Sequence, residues 1–129
     1  MPLATSLWLV RHGQRLDTDP TWRPRVCHHT EVPLSPLGER QADALGRRLK
    51  TAGIRHIFVS PYLRAVQTAA AIAAHTGLRL RIEPGAMEWQ NRAWFPRRPP
   101  LETVAALARR FPAIDRSHRT LVRPRWPET

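Results

Sequence analysis

The dipeptide Ser-Pro occurs twice, at Ser35-Pro36 and Ser60-Pro61, and each copy opens an amphipathic run closed by a glycine. A serine hydroxyl can cap the free N–H groups of a first helical turn, and proline at the first helical position loses no hydrogen bond. After Ser35, Leu37, Gln41, Leu45 and Leu49 recur at spacing four with Ala42 beside them, and Gly53 offers the left-handed C′ position. After Ser60, Tyr62, Val66, Ala69, Ala70 and Ala73 form a second stripe, and Gly77 closes it. Apolar runs too short for helices lie around these two: Leu7–Val10, Ile54–Ser60 with Ile57-Phe58-Val59 at its centre, and the alternating Leu78–Ile82. The order β-loop-α-β-α-β predicts an α/β domain with a mainly parallel sheet. A chain of 129 residues suits a single domain over residues 1–129.

Residues 14–34 read as a long loop, and residues 83–100 as a proline-rich one. Leu101–Arg110 predicts one more helix, with Val104, Leu107 and Ala108 on its apolar side. Beyond Phe111, prolines break any long element.

Composition narrows the function classes. No apolar run approaches the ~20 residues needed to span a bilayer, so no membrane partner is expected. The first residues lack the basic and apolar regions of a secretory leader, which makes a cytoplasmic location the expectation. Cys27 is the only cysteine, so no intrachain disulfide can form. The net charge of +11 is carried by arginines, with Lys50 the only lysine. Such a charge attracts polyanions. However, the arginines are scattered and no RNP-like strand, zinc finger or basic heptad accompanies them, so nucleic acid is not expected as a partner. Nothing in the residues specifies an oligomeric state.

Two strand ends are unusually polar. Leu7–Val10 runs into Arg11-His12-Gly13, with Arg15 close behind, and Ile57–Val59 runs into Ser60-Pro61-Tyr62-Leu63-Arg64. Parallel sheets bind ligands at the carboxyl ends of their strands. An arginine in a first helical turn opposes the macrodipole, unless an anion sits between it and the helix end. Guanidinium forks grip phosphoryl oxygens bidentately. A neutral histidine among them can attack phosphorus, and the same cations stabilise the transferring group. Gly13 would let the backbone approach a phosphate. The competing reading of His12 is a satisfied strand-end histidine beside chance arginines. Cys27-His28-His29 cannot converge on one ion and no second ligand cluster follows, so neither a metal nor any other cofactor is expected. His75 falls at a helix C-terminus that suits an imidazolium, and His56 precedes the second apolar run.

Taken together, "LVRHGQR", "PLSPLGERQADALGRRL", "IFVSPYLRAVQTAAAIA" and "RIEPGAMEW" resemble the histidine phosphatase superfamily in its phosphoglycerate-mutase-like fold. The likeness is strong over residues 7–90 and weak over 91–129. It implies a three-layer α/β fold with a mainly parallel sheet. It also implies that His12 becomes phosphorylated, that Arg11 and Arg64 bind the phosphoryl group, and that Glu88 protonates the leaving oxygen in preference to Glu83. Arg15 matches the extra phosphate contact of the acid- and tyrosine-phosphatase-like branch, which favours phosphatase over mutase. The implied substrate is a phosphorylated small molecule or a phosphoprotein. Trp22, Arg23 and Arg25 would then line its entrance, or else belong to a solvated loop. The family's second catalytic histidine, in an apolar-run-His-Gly pattern, has no counterpart here, and His118 lacks that context. The expectation is a truncated domain whose C-terminal part is missing, possessing either residual hydrolytic chemistry or only phospho-ligand or protein binding.

Overall fold

The computed structural model describes residues 6–22 and 29–129. Within them, helices begin where side chains supply caps. Helix α1 (Pro36–Leu49) starts behind Ser35, whose Oγ accepts the Gly38 N–H at 3.0 Å. It stops at Leu49, and Gly53 takes its left-handed φ of 71° only after an intervening turn, so it is not the C′ residue expected. Helix α2 (Leu63–Thr76) starts two residues later than Pro61. Ser60 Oγ accepts the Tyr62 N–H at 3.3 Å in a local turn, and Tyr62 becomes the extended residue before the helix. Gly77 closes α2 with φ 72°, donating its N–H to Ala73 O at 2.8 Å. Helix α3 (Val104–Arg110) is shorter than Leu101–Arg110, because Thr103 caps it by accepting the Ala106 N–H at 3.1 Å.

Strands β1 (Ile57–Val59) and β2 (Leu80–Ile82) pair in parallel, Ile57 opposite Leu80 and Val59 opposite Ile82. Strand side chains alternate, so these four residues share one face. There Val59, Leu80 and Ile82 form a buried cluster with Val66, Ala69 and Ala73 of α2, Leu107 of α3 and Ile114, and Ile57 packs against it. Each fully buried Val or Leu contributes about 1.5–3 kcal/mol, which makes this cluster the main apolar support of the sheet. On the other face Phe58 stays exposed beneath the Arg81 guanidinium, 5.6 Å from its ring centroid. The chain after α3 adds a parallel bridge at Ile114: Leu80 donates to Ala113 O at 2.9 Å, and Asp115 donates to Leu80 O at 2.8 Å.

Helix α1 lies against α2 at Gly46. A Cβ there would stand 2.6 Å from His75 Cδ2 and 2.9 Å from Ala71 O. His75 Nε2 meets Asp43 Oδ1 at 2.7 Å across the same contact. His75 is therefore a link between two helices, beyond the expected terminal charge.

Leu7–Val10 departs from expectation. It forms no strand, and Leu7 and Leu9 are 85% and 89% exposed. Apolar content makes a segment fit for a sheet, but a strand exists only with a hydrogen-bonding neighbour. Among the described residues none pairs with this run, although the Arg48 guanidinium lies 5.9 Å from the Trp8 ring.

Candidate active site

The segment Arg11–Arg15 is held by the N-terminal halves of both long helices. The Gly13 N–H donates to Thr68 Oγ1 at 3.1 Å, and the same hydroxyl donates to Arg64 O at 2.8 Å. Gln14 donates its N–H to Gln41 Oε1 at 2.9 Å, and its carbonyl accepts the Ser35 N–H at 2.9 Å. Ser35 Oγ donates to Gln14 Oε1 at 2.8 Å. Arg15 forms an antiparallel bridge with Leu34. Gly13 has a structural use besides the one expected. A Cβ there would stand 2.4 Å from Gly38 O, so its bareness lets the loop lie against α1.

His12 Nδ1 lies 2.7 Å from Gly13 O. A carbonyl oxygen can only accept, so Nδ1 carries the hydrogen and the lone pair is on Nε2. Burial lowers the imidazole pKa below its ordinary 6.5; the Gly13 bond opposes this, and the charges of Arg64, Arg11 and Arg15 reinforce it. The ring is thus kept neutral by its surroundings.

Arg64 is the most deeply placed of the three arginines, 1% exposed in the first turn of α2. Its guanidinium lies 4.8 Å from the Tyr62 ring centroid, and Nη2 donates to Glu88 Oε1 at 2.5 Å. The anion beside this helix start is therefore the Glu88 carboxylate, which is 38% exposed. Arg11 is exposed, while Arg15 Nε donates to Asp17 Oδ1 at 2.9 Å. Behind Glu88, the buried Gln90 donates to Tyr62 Oη at 2.8 Å and to Glu88 O at 2.7 Å. Neither Gln90 nor Thr68 stood out in the sequence. Trp22 is half-buried, and Arg23, Arg25, Cys27 and His28 lie outside the described residues.

A family model described as histidine phosphatase superfamily, branch 1, matches residues 7–128. The chain belongs to this superfamily. This histidine phosphatase homologue is 35% identical over 80 residues to a probable phosphoglycerate mutase GpmB of Yersinia enterocolitica, covering 60% of this chain and 35% of the mutase. It is 28% identical over 117 residues to the ecdysteroid-phosphate phosphatase of Bombyx mori, covering 66% of this chain and 18% of that protein. The chain thus spans about a third or less of these curated relatives. Among solved structures, the ecdysone phosphate phosphatase from the silkworm in complex with tungstate superposes with a TM-score of 0.69 at 23% identity, over 88% of this chain and 56% of that one. A mycobacterial glucosyl-3-phosphoglycerate phosphatase matches with a TM-score of 0.51 at 30% identity, over 60% of this chain and 35% of that one. The fold is that of a histidine phosphatase, mixed α/β with a parallel sheet, and no described helix is long and apolar enough to cross a membrane.

Glu83, the rival carboxylate in this histidine phosphatase chain, is engaged elsewhere. Oε2 accepts the Leu121 N–H at 2.9 Å and faces His118 Nε2 at 3.2 Å; Oε1 accepts the N–H groups of Val122 at 3.0 Å and Gly85 at 3.4 Å. Burial would raise its pKa, but these bonds, led by those from Leu121 and Val122, bring it down from 4.5 to about 2. Such a group stays ionised and holds residues 118–122 in place. Because its folded pKa lies below the unfolded one, its stabilisation is complete above pH 4.5 and is lost as pH falls toward 2. Glu83→Gln should cost about 2–3 kcal/mol near neutral pH, since an NH₂ then faces backbone donors. The deficit should shrink at about pH 3, where wild-type Glu83 is itself becoming protonated. Urea denaturation of both proteins at the two pH values measures this.

Proposed function

We propose that this chain carries the phosphoryl-transfer half of a phosphomonoester hydrolase, with His12 as nucleophile and Glu88 as general acid. The observation that carries the reading is the His12 Nδ1 bond to Gly13 O, which leaves the Nε2 lone pair on a neutral ring amid Arg11, Arg15 and Arg64. Nε2 attacks phosphorus, the ester P–O bond breaks, and the leaving oxygen takes the Glu88 proton. Water then attacks the phosphohistidine, the P–N bond breaks, and Glu88 accepts the water's proton. Each positioned proton transfer of this kind is worth roughly 10²–10⁴ in rate.

The resting ion pair imposes an order on these events. A carboxylate held by a guanidinium is ionised, whereas an acid must carry a proton. Arg64 must therefore exchange Glu88 for the phosphoryl group before Glu88 can act. Arg15 donates through Nε and Nη2 to Asp17, so it too exchanges a carboxylate before gripping a phosphoryl group; its resemblance to the extra arginine of the phosphatase-like branch is what favours hydrolysis over mutase chemistry. The substrate class is a phosphorylated small molecule or a phosphoprotein.

The test is to trap the intermediate. The chain is mixed with p-nitrophenyl phosphate bearing a labelled phosphoryl group and quenched in alkali. The expected result is an acid-labile, alkali-stable label on the peptide containing His12. Release of p-nitrophenol with no such label, or a label elsewhere, overturns the reading. Phosphate binding without any release would mark a phospho-ligand-binding relative instead.

A further inference from the structure

We propose that Gln90 is a positioning residue that couples the phosphate-gripping Arg64 to the proton-donating Glu88; the inference rests on the roles given to those two residues above. Gln90 is 3% exposed, and a buried amide is costly unless its hydrogens are used. Both are. The side-chain atom 2.7 Å from Glu88 O must be the donor nitrogen, because that carbonyl can only accept, and this fixes the amide's orientation. The same nitrogen donates to Tyr62 Oη at 2.8 Å. Tyr62 in turn lays its ring against the Arg64 guanidinium at 4.8 Å. One amide thus joins the backbone of the acid to the support of the cation. The bracket is itself pinned. The Gln90 N–H donates to Glu128 Oε2 at 2.6 Å, and the Glu128 N–H donates to Gln90 O at 2.9 Å.

Chemistry dictates why glutamine fits here. Glutamate has the same shape but no hydrogen to give, so Gln90→Glu would set a carboxylate against Glu88 O and bring a second negative charge beside the acid. Gln90→Met fills the space with neither donor nor charge. Tyr62→Phe keeps the ring on Arg64 and removes the hydroxyl that accepts from Gln90.

The experiment uses the whole chain, p-nitrophenyl phosphate across pH, inorganic phosphate binding by calorimetry, and circular dichroism to count folded protein. Gln90→Met should lower kcat at least about tenfold with a smaller change in KM, since small displacements of reacting groups cost up to ~10²-fold. It should weaken inorganic phosphate binding at least about threefold. Gln90→Glu should do the same and also move the alkaline limb of kcat to higher pH, because a neighbouring carboxylate makes Glu88 hold its proton longer. A merely space-filling role predicts losses proportional to unfolded protein and an unmoved pH profile for both variants, and that outcome overturns the proposal. If both variants fail to fold, Tyr62→Phe decides: weaker phosphate binding supports the bracket and wild-type binding overturns it. If the wild type releases no p-nitrophenol, the hydrolytic reading fails and phosphate affinity alone judges Gln90. Equal affinity in wild type and variant, or no wild-type binding, then overturns the inference.

Discussion

His12→Ala should abolish p-nitrophenyl phosphate hydrolysis, by at least ~10³-fold in kcat, while leaving inorganic phosphate binding within a few-fold of wild type. The split follows from the division of labour in the site. The imidazole supplies the bond-forming lone pair, while affinity for the anion comes from arginines that the substitution leaves in place. His12→Asn sharpens the measurement, since it keeps a polar group at the end of the Leu7–Val10 run without an imidazole nitrogen to attack with. The pH dependence has a definite sign. The folded environment lowers the imidazole pKa from 6.5, chiefly through burial and then through Arg64, Arg11 and Arg15 against the opposing Gly13 bond. Neutral His12 therefore persists as pH falls below 6.5, and the acid limb of kcat/KM for the wild type should lie below that value. Equal rates for wild type and His12→Ala would end the nucleophile assignment.

The elements that could be read from the sequence are those whose cause is local. Ser35 and its bond to Gly38 lie within one turn, as do Gly77 and its bond to Ala73, and the start of α1 and the end of α2 fall where those residues place them. The start of α2 differs from the expected one because Ser60 has two local uses. Its hydroxyl can cap a helix or make a two-residue turn, and it makes the turn. Leu7–Val10 shows the limit from the other side. Its apolar run is fit for a sheet interior, yet strand formation depends on a partner that no window of sequence contains.

The site divides the same way. Arg11, His12, Arg15 and Arg64 are legible as candidates because each follows an apolar run or opens a helix, where a charged residue needs a reason. Gln90 is not legible, because besides the nearby Glu88 carbonyl its partners are Tyr62 and Glu128, 28 and 38 residues away. In the sequence Glu83 offers itself only as a rival acid to Glu88. Its actual partners, His118, Leu121 and Val122, lie 35 to 39 residues downstream in a stretch with no regular pattern. Gly38 did leave a signal. A glycine in the first turn of α1 costs helix stability of about 0.5–1 kcal/mol relative to alanine, so its presence points to a close contact.

That contact gives the second large effect, because two forces compete at Gly38 with opposite signs. By helix propensity alone, Gly38→Ala should stabilise α1 by up to about 1 kcal/mol. By contact it cannot: the new Cβ would stand 2.2 Å from Gln14 O, 2.8 Å from Gln14 N and 3.0 Å from Gln14 C. These are backbone atoms with no flexible end to swing aside. Gln14 is also bonded to Gln41 and Ser35, so the loop can yield only by breaking those bonds. Overpacking of this kind costs up to about 3 kcal/mol, which exceeds the propensity gain. The net loss of about 2 kcal/mol should lower Tm by roughly 8 °C in a chain of this size. The displaced loop is the one carrying His12, so hydrolysis should fall further than the folded fraction does. Gly53→Ala is the control, with nothing within 4 Å of its Cβ and only the left-handed φ of 71° to strain. It should cost about 1 kcal/mol, with activity per folded molecule retained. If Gly38→Ala raises Tm, the contact is not the determinant and propensity is. If it lowers Tm but spares activity per folded molecule, His12 does not depend on the seat that α1 provides.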